Sequence, residues 1–175
     1  MNSKAKIVFD ADYQASRLAE GKIYLKQPNM QAFLKAIGDA EGADYNLKYG
    51  GVKGKVHDKY SFADFSTHPG AGYGGKATPA GMYQITNGTW ADIGSRIGLT
   101  DFSPDTQDLM AVEILRIINS ADDIVAGNIT SALLSASRRW AALPKGPGLP
   151  SRYNQPYMEY EQFIAKYHSY GGLGK

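Results

Sequence analysis

Apolar residues recur at steps of three and four from residue 30 onward, at Met30, Phe33, Leu34 and Ile37, the period of a helix with one buried face. Glu41 continues the same stripe. Asn29 is placed to cap the start and Gly42 to stop the end, so the pattern predicts a helix over about Met30 to Glu41. Upstream, residues 1–28 hold one short apolar run, Ile7 to Phe9, then a polar stretch through Glu20 and Gly21 that closes at Gln27-Pro28. They read as an appendage packed on a domain spanning 29–175.

From 43 to 80 the helical period disappears. Gly50, Gly51, Gly54, Gly70, Gly72, Gly74 and Gly75 are interleaved with Tyr45, Tyr49, Tyr60, Phe62, Phe65 and Tyr73, which predicts short strands and long loops. Gly81 to Trp90 opens a mostly helical second half. There Ser103-Pro104 is an N-cap followed by proline at the first helical position, ahead of the apolar face Leu109, Val112, Ile114, Leu115 and Ile118. Asn128 is placed to cap a helix carrying Ile129, Ala132, Leu133, Ala136, Trp140 and Leu143. Prolines and glycines from Pro144 to Pro156 then force an irregular loop, and a last helix holds Tyr160, Phe163, Ile164 and Tyr167 before Gly171-Gly172. The predicted class is α+β, mainly helical around a small Gly-rich sheet region.

The 175 residues suit one domain, and a net charge of +2 lacks the basic excess of a dedicated nucleic-acid binder. The absence of cysteine removes disulfides, thiolate metal sites and cysteine nucleophiles together. Apolar runs such as Ile114 to Ile118 fall far short of the ~18 residues of a membrane span, and the first residues lack a signal peptide's apolar core. No membrane insertion is expected, and a cytoplasmic place of synthesis and residence is. Twelve tyrosines and 20 glycines suit a sugar-binding groove and equally a turn-rich domain.

Glu41 stands out on physical grounds. A carboxylate on a core-facing stripe, at the negative end of a helix dipole, is held towards its neutral acid and so towards proton donation near neutrality. An ordinary helix-end glutamate would instead swing into solvent. In Gly81-Met82-Tyr83-Gln84-Ile85 the glycine permits close backbone approach and the glutamine offers both a donor and an acceptor. Other patterns fail on inspection. Gly70, Gly72 and Gly75 fit a dinucleotide fingerprint and Gly70 to Lys76 most of a phosphate loop, but Ala77 replaces the loop's Ser or Thr and Thr78-Pro79 discourages the helix that should follow. His57, His68 and Asp64 match no zinc spacing, and no Gly-x-Ser-x-Gly elbow is present.

Helix-terminal Glu41-Gly42, a Gly-rich region, and Gly81-Met82-Tyr83-Gln84-Ile85 ahead of Trp90 together resemble the lysozyme superfamily. Further motifs resemble the phage lambda endolysin family in the same order: Phe65-Ser66 with His68-Pro69, Gly98-Leu99 with Asp101-Phe102-Ser103-Pro104, Gln107-Asp108, Trp140-Ala141 with Leu143-Pro144, Tyr153 with Gln155, and Ile164-Ala165-Lys166. The likeness covers about Met30 to Gly172.

It implies a lysozyme-like fold with a glycan cleft, and a lytic transglycosylase that cuts the β-1,4 bond between N-acetylmuramic acid and N-acetylglucosamine in peptidoglycan. Glu41 takes the place of the catalytic glutamate. Tyr83, Gln84, Tyr153 and Gln155 match positions that place the glycan, and loops around His68–Thr78 and Pro144–Pro156 match the cleft lips. No metal or organic cofactor is implied. A monomer is expected that gathers in the host cytoplasm and depends on a separate membrane-permeabilising factor to reach the wall, or is carried in the virion. Met82 stands where the family has an arginine, the loop after Leu143 is longer, and residues 1–28 have no counterpart. Two alternatives stay open. One is a hydrolytic muramidase with Asp44, Asp58 or Asp64 as second carboxylate, and the other is a non-catalytic glycan-binding or virion structural module.

Overall fold

The computed structural model describes residues 7–174, among which seven α-helices follow in order. They are α1 (Ala11–Leu25), α2 (Pro28–Glu41), α3 (Asn87–Ile97), α4 (Pro104–Ile117), α5 (Ala121–Ala126), α6 (Ile129–Ala136) and α7 (Tyr160–Ser169). Helix α2 is central. Its stripe Met30, Phe33, Leu34 and Ile37 is at most 2% exposed, and each such side chain contributes roughly 1.5–3 kcal/mol of burial. α7 closes one side, with the Phe33 and Phe163 rings meeting edge to face at 5.1 Å, and α5 packs on another.

The helix begins earlier than its apolar pattern. Gln27 is the N-cap and Pro28 takes the first helical position, where its missing N–H costs nothing. Asn29 therefore lies inside α2, and its side chain ties two distant segments: Nδ2 donates to the Val125 carbonyl at 3.2 Å, and Oδ1 accepts from the Leu173 amide at 2.9 Å. Gly42, at φ +62°, ends the helix as expected.

The polar stretch before it is helix α1, which lies against α3 and α4. Leu18, Tyr24 and Leu25 pack on the core, and polar ties add to them. Arg17 pairs with Glu113 at 2.7 Å, Arg116 reaches both Glu113 and Glu20, and Gln14 Nε2 donates to the Ser95 carbonyl at 2.9 Å. Glu113 is 1% exposed, yet its charge is compensated by two guanidinium groups.

Between α2 and α3 the chain makes antiparallel pairs without a continuous ladder, at Leu47–Ser61, Lys48–Ala80 and Ala80–Ile85. The sheet region is thus present as isolated bridges. Close approach explains part of the glycine content, since a Cβ on Gly72 would fall 2.2 Å from the Tyr49 carbonyl oxygen. The segment from Gly81 is a turn and not the start of a helix, because Gly81 and Gln84 take φ of +76° and +49°. α3 starts only at Asn87, capped by Thr86 Oγ1 on the Thr89 amide at 3.3 Å. Ser103 caps α4 in the same way. Asn128 precedes α6 but makes no side-chain cap, and α6 stops at Ala136, so Trp140 and Leu143 are buried from a turn. Among the described residues no helix is long and apolar enough to cross a membrane, and no buried side-chain polar atom lacks a partner.

Candidate active site

Glu41 is the last residue of α2, carried there by the buried stripe and released from the helix by Gly42. Its side chain is half-buried. Desolvation raises its carboxyl from the ordinary 4.5 to about 7, with no compensating hydrogen bond or ion pair among the described residues. One helical turn earlier, Gly38 faces Met82 so closely that a Cβ there would lie 2.4 Å from Met82 Sδ. The acid and the Gly81–Gln84 turn are therefore packed together.

That turn is clamped from α4. Gln107 is fully buried; its Oε1 accepts from the Met82 amide at 2.9 Å, and its Nε2 donates to the carbonyls of Tyr45 and Phe102 at 3.1 and 2.9 Å. A Cβ at Gly81 would fall 2.1 Å from that same Oε1, so only glycine fits. Beside it, one oxygen of Asp108 accepts hydroxyl hydrogen bonds from Tyr83 at 2.6 Å and from Tyr45 at 2.8 Å. Burial raises the Asp108 carboxyl, an effect the two hydroxyls oppose, and it pushes both phenols up. From the other side, Trp140 Nε1 donates to the Tyr83 carbonyl at 2.9 Å.

The expected glycan-placing residues separate into distinct situations. Tyr83, expected to place the glycan, is 2% exposed with its hydroxyl on Asp108, a bond that anchors the turn. Gln84 is partly exposed; its Nε2 donates to the Gly81 carbonyl at 2.9 Å, and its Oε1 accepts from no described donor. Tyr153 is 49% exposed, and its hydroxyl donates to the Arg138 carbonyl at 2.7 Å. Arg138 lines a hollow of about 240 Å³ together with Tyr83 and Gln84, so Tyr153 is bonded to a residue that borders the turn. Gln155 is exposed without a side-chain partner, and the next residue, Pro156, shares a groove with Ala40, the neighbour of Glu41. Both expected lips are irregular chain, the first containing a short 3-10 turn at Tyr73–Gly75.

The other carboxylates near the loops are occupied. Asp58 is buried and accepts from the amides of Val52 and Tyr60 at 3.0 and 2.8 Å, which hold its carboxyl below the usual range. Asp64 accepts from both the amide and the hydroxyl of Ser66, with the same consequence. Asp44 accepts from the Tyr45 amide at 2.8 Å. His68 is a buried, locally bonded ring: Nδ1 accepts from the Gly70 amide at 3.1 Å, and Nε2 lies 2.9 Å from the Ile85 carbonyl oxygen, which makes it the donor. Burial lowers its pKa, which favours the neutral form. Among the described residues no three His, Asp or Glu side chains are grouped to hold a metal ion.

Sequence reasoning noted Gln107-Asp108 only as a motif and missed what the pair does. The signal was present, since an amide on the core side of α4 breaks the same rule that singles out Glu41.

A family model described as Endolysin matches residues 31–173. The endolysin of Escherichia phage P2 is 31% identical over 163 residues, which is 83% of this chain and 94% of that protein. The endolysin of Escherichia phage lambda is 31% identical over 156 residues, 81% of this chain and 90% of that one. Among solved structures, bacteriophage lambda lysozyme complexed with a chitohexasaccharide superposes with a TM-score of 0.70 at 29% identity, covering 85% of this chain and 97% of that one. A second structure of lysozyme from bacteriophage lambda gives a TM-score of 0.67 at 28% identity, with the same coverage of both chains.

Proposed function

The chain belongs to the endolysin family, whose members are peptidoglycan-cleaving glycosidases, and we propose that it cleaves the MurNAc–GlcNAc bond as a lytic transglycosylase with Glu41 as its acid and base. The observation that carries this reading is the Glu41 carboxyl itself. Held near 7 by burial alone, it is substantially protonated at neutral pH. It can therefore give a proton to the departing glycosidic oxygen as positive charge develops on the muramic acid. The resulting carboxylate then takes the proton from that sugar's own 6-hydroxyl, whose oxygen closes on C1. Cleavage yields a 1,6-anhydro end, and no water is consumed. Because the attacking hydroxyl belongs to the same ring, the reaction is intramolecular and needs no second carboxylate to recruit a nucleophile.

The commitment of Asp58 and Asp64 to local amide donors supports this over a hydrolytic route, which requires a second acid–base or nucleophilic carboxylate. Gln84, with its free amide oxygen, and the exposed Tyr153 and Gln155 are the side chains that would meet the glycan. The same reading has the protein gather in the cytoplasm of an infected bacterium and meet the wall once another factor opens the membrane.

Mass analysis of sacculi digested in 18-oxygen water tests the mechanism. Anhydro ends without label are expected; labelled reducing ends would replace the proposal by hydrolysis. Loss of clearing in Glu41→Gln with retained sedimentation on sacculi separates an enzyme from a glycan-binding module.

A further inference from the structure

At Ala40, the residue before Glu41 in the chain, α2 borders a groove of about 700 Å³, within the size range of ligand-binding clefts. It is walled by Ala40 from the end of α2, by Pro156 and Met158 from the incoming loop, and by Ala165, Lys166 and Ser169 from α7. Tyr157 and Gln162 complete the lining, so methyl groups, a proline ring, a thioether and a phenol ring lie together there. The one charged lining residue is Lys166, which shares Asp39 with other polar groups. Asp39 accepts the Tyr170 hydroxyl and pairs with Lys53 at 3.3 Å and Lys166 at 3.7 Å, while Lys35 stands 5.7 Å over the Tyr170 ring. Two ammonium groups thus share one carboxylate, and Lys166, with a 52% exposed side chain, keeps donors to spare.

The groove offers mainly apolar surface with one ammonium in its wall, which suits a ligand of small apolar side chains bearing a free carboxylate. Peptidoglycan supplies such a ligand at the right place. The muramic acid whose bond is cut carries, through its lactyl group, a short stem peptide with alanine methyls and unpaired carboxylates. Ala40 is the residue next to the acid, so a substituent on the reacting sugar is within reach of the groove. Resting on the glycan-cleaving reading above, we propose that this groove is a stem-peptide site: alanine methyls lie on Ala40, Met158 and Ala165, and a carboxylate meets Lys166.

The test compares kcat/KM on soluble peptidoglycan strands that carry their peptides with kcat/KM on the same strands stripped by an amidase. Wild-type protein should prefer the peptide-bearing strand. Lys166→Gln should reduce that preference about two- to fivefold, the range for a partly exposed charge contact. Ala165→Tyr, at an exposed helix position, should fill the groove and reduce it further. Equal wild-type rates on the two strands, or variants that slow both by the same factor, would overturn the assignment while leaving glycan cleavage intact. No cleavage of either strand by the wild type, or cleavage that survives Glu41→Gln, overturns the glycan-cleaving reading and the peptide site with it.

Discussion

Gly38 and Met82 meet across the gap between α2 and the Gly81–Gln84 turn so tightly that no side chain larger than hydrogen fits at position 38 without displacing the thioether. Met82 is pinned at its backbone by Gln107, so only its side chain can give way. Gly38→Ala gains roughly 0.5–1 kcal/mol of helix preference and loses a comparable amount in that displacement. The melting temperature should stay within a few degrees while the sacculus-clearing rate falls severalfold. The double variant with Met82→Ala should recover the rate, and failure to recover it would show that the contact does not position the acid.

Glu41 binds a proton more tightly in the folded state than in the unfolded one. Stability should therefore fall as pH rises from 4.5 to about 7 and then level, by on the order of 2–3 kcal/mol. Glu41→Gln removes this dependence. Difference melting curves should show the variant more stable than wild type at pH 8, with the gap closing by pH 4.5. The wild-type cleavage rate should decline above about pH 7 as the donor proton is lost.

Gln107→Leu leaves the Met82 amide and the Tyr45 and Phe102 carbonyls without their partner. Buried groups orphaned in this way cost about 1–3 kcal/mol each before relaxation and water entry. A fall in melting temperature of about 5–10 °C is expected for a chain of this size. Clearing should drop more than the loss of folded protein explains, because the turn beside Glu41 is freed.

Glu113→Gln uncovers two guanidinium groups at the α1–α4 interface. Breaking one side of a buried ion pair costs about 3–5 kcal/mol. Hydrogen exchange should accelerate first in residues 11–25, and limited proteolysis should cut there before it reaches α2. Uniform exchange across the chain would show that α1 is held by something other than this network.

What could be read from the sequence divides by the range of the forces involved. The α2 stripe, its glycine stop and the Ser103-Pro104 start of α4 are local patterns, and the stripe led to Glu41 directly. Helix α1 escaped because its few packed apolar residues, Leu18, Tyr24 and Leu25, are outnumbered by polar ones, and Arg17, Gln14 and Arg116 supply the rest of its contacts. The turn at Gly81 escaped because Gln84 is a non-glycine residue at positive φ, a conformation set by its surroundings. Tyr83 was assigned to the glycan from a motif position, and its bond to Asp108, 25 residues further along the chain, was not legible. Such long-range pairing leaves no mark in the spacing of residues.

The clamp on the Gly81–Gln84 turn is built largely from an amide, Gln107, and an indole, Trp140, neither of which ionises between acid and alkaline extremes. These two bonds and the proton carrier are thus chemically orthogonal. Glu41 can shuttle between its two charge states in every turnover while the bonds from Gln107 and Trp140 that fix its neighbour keep the same strength.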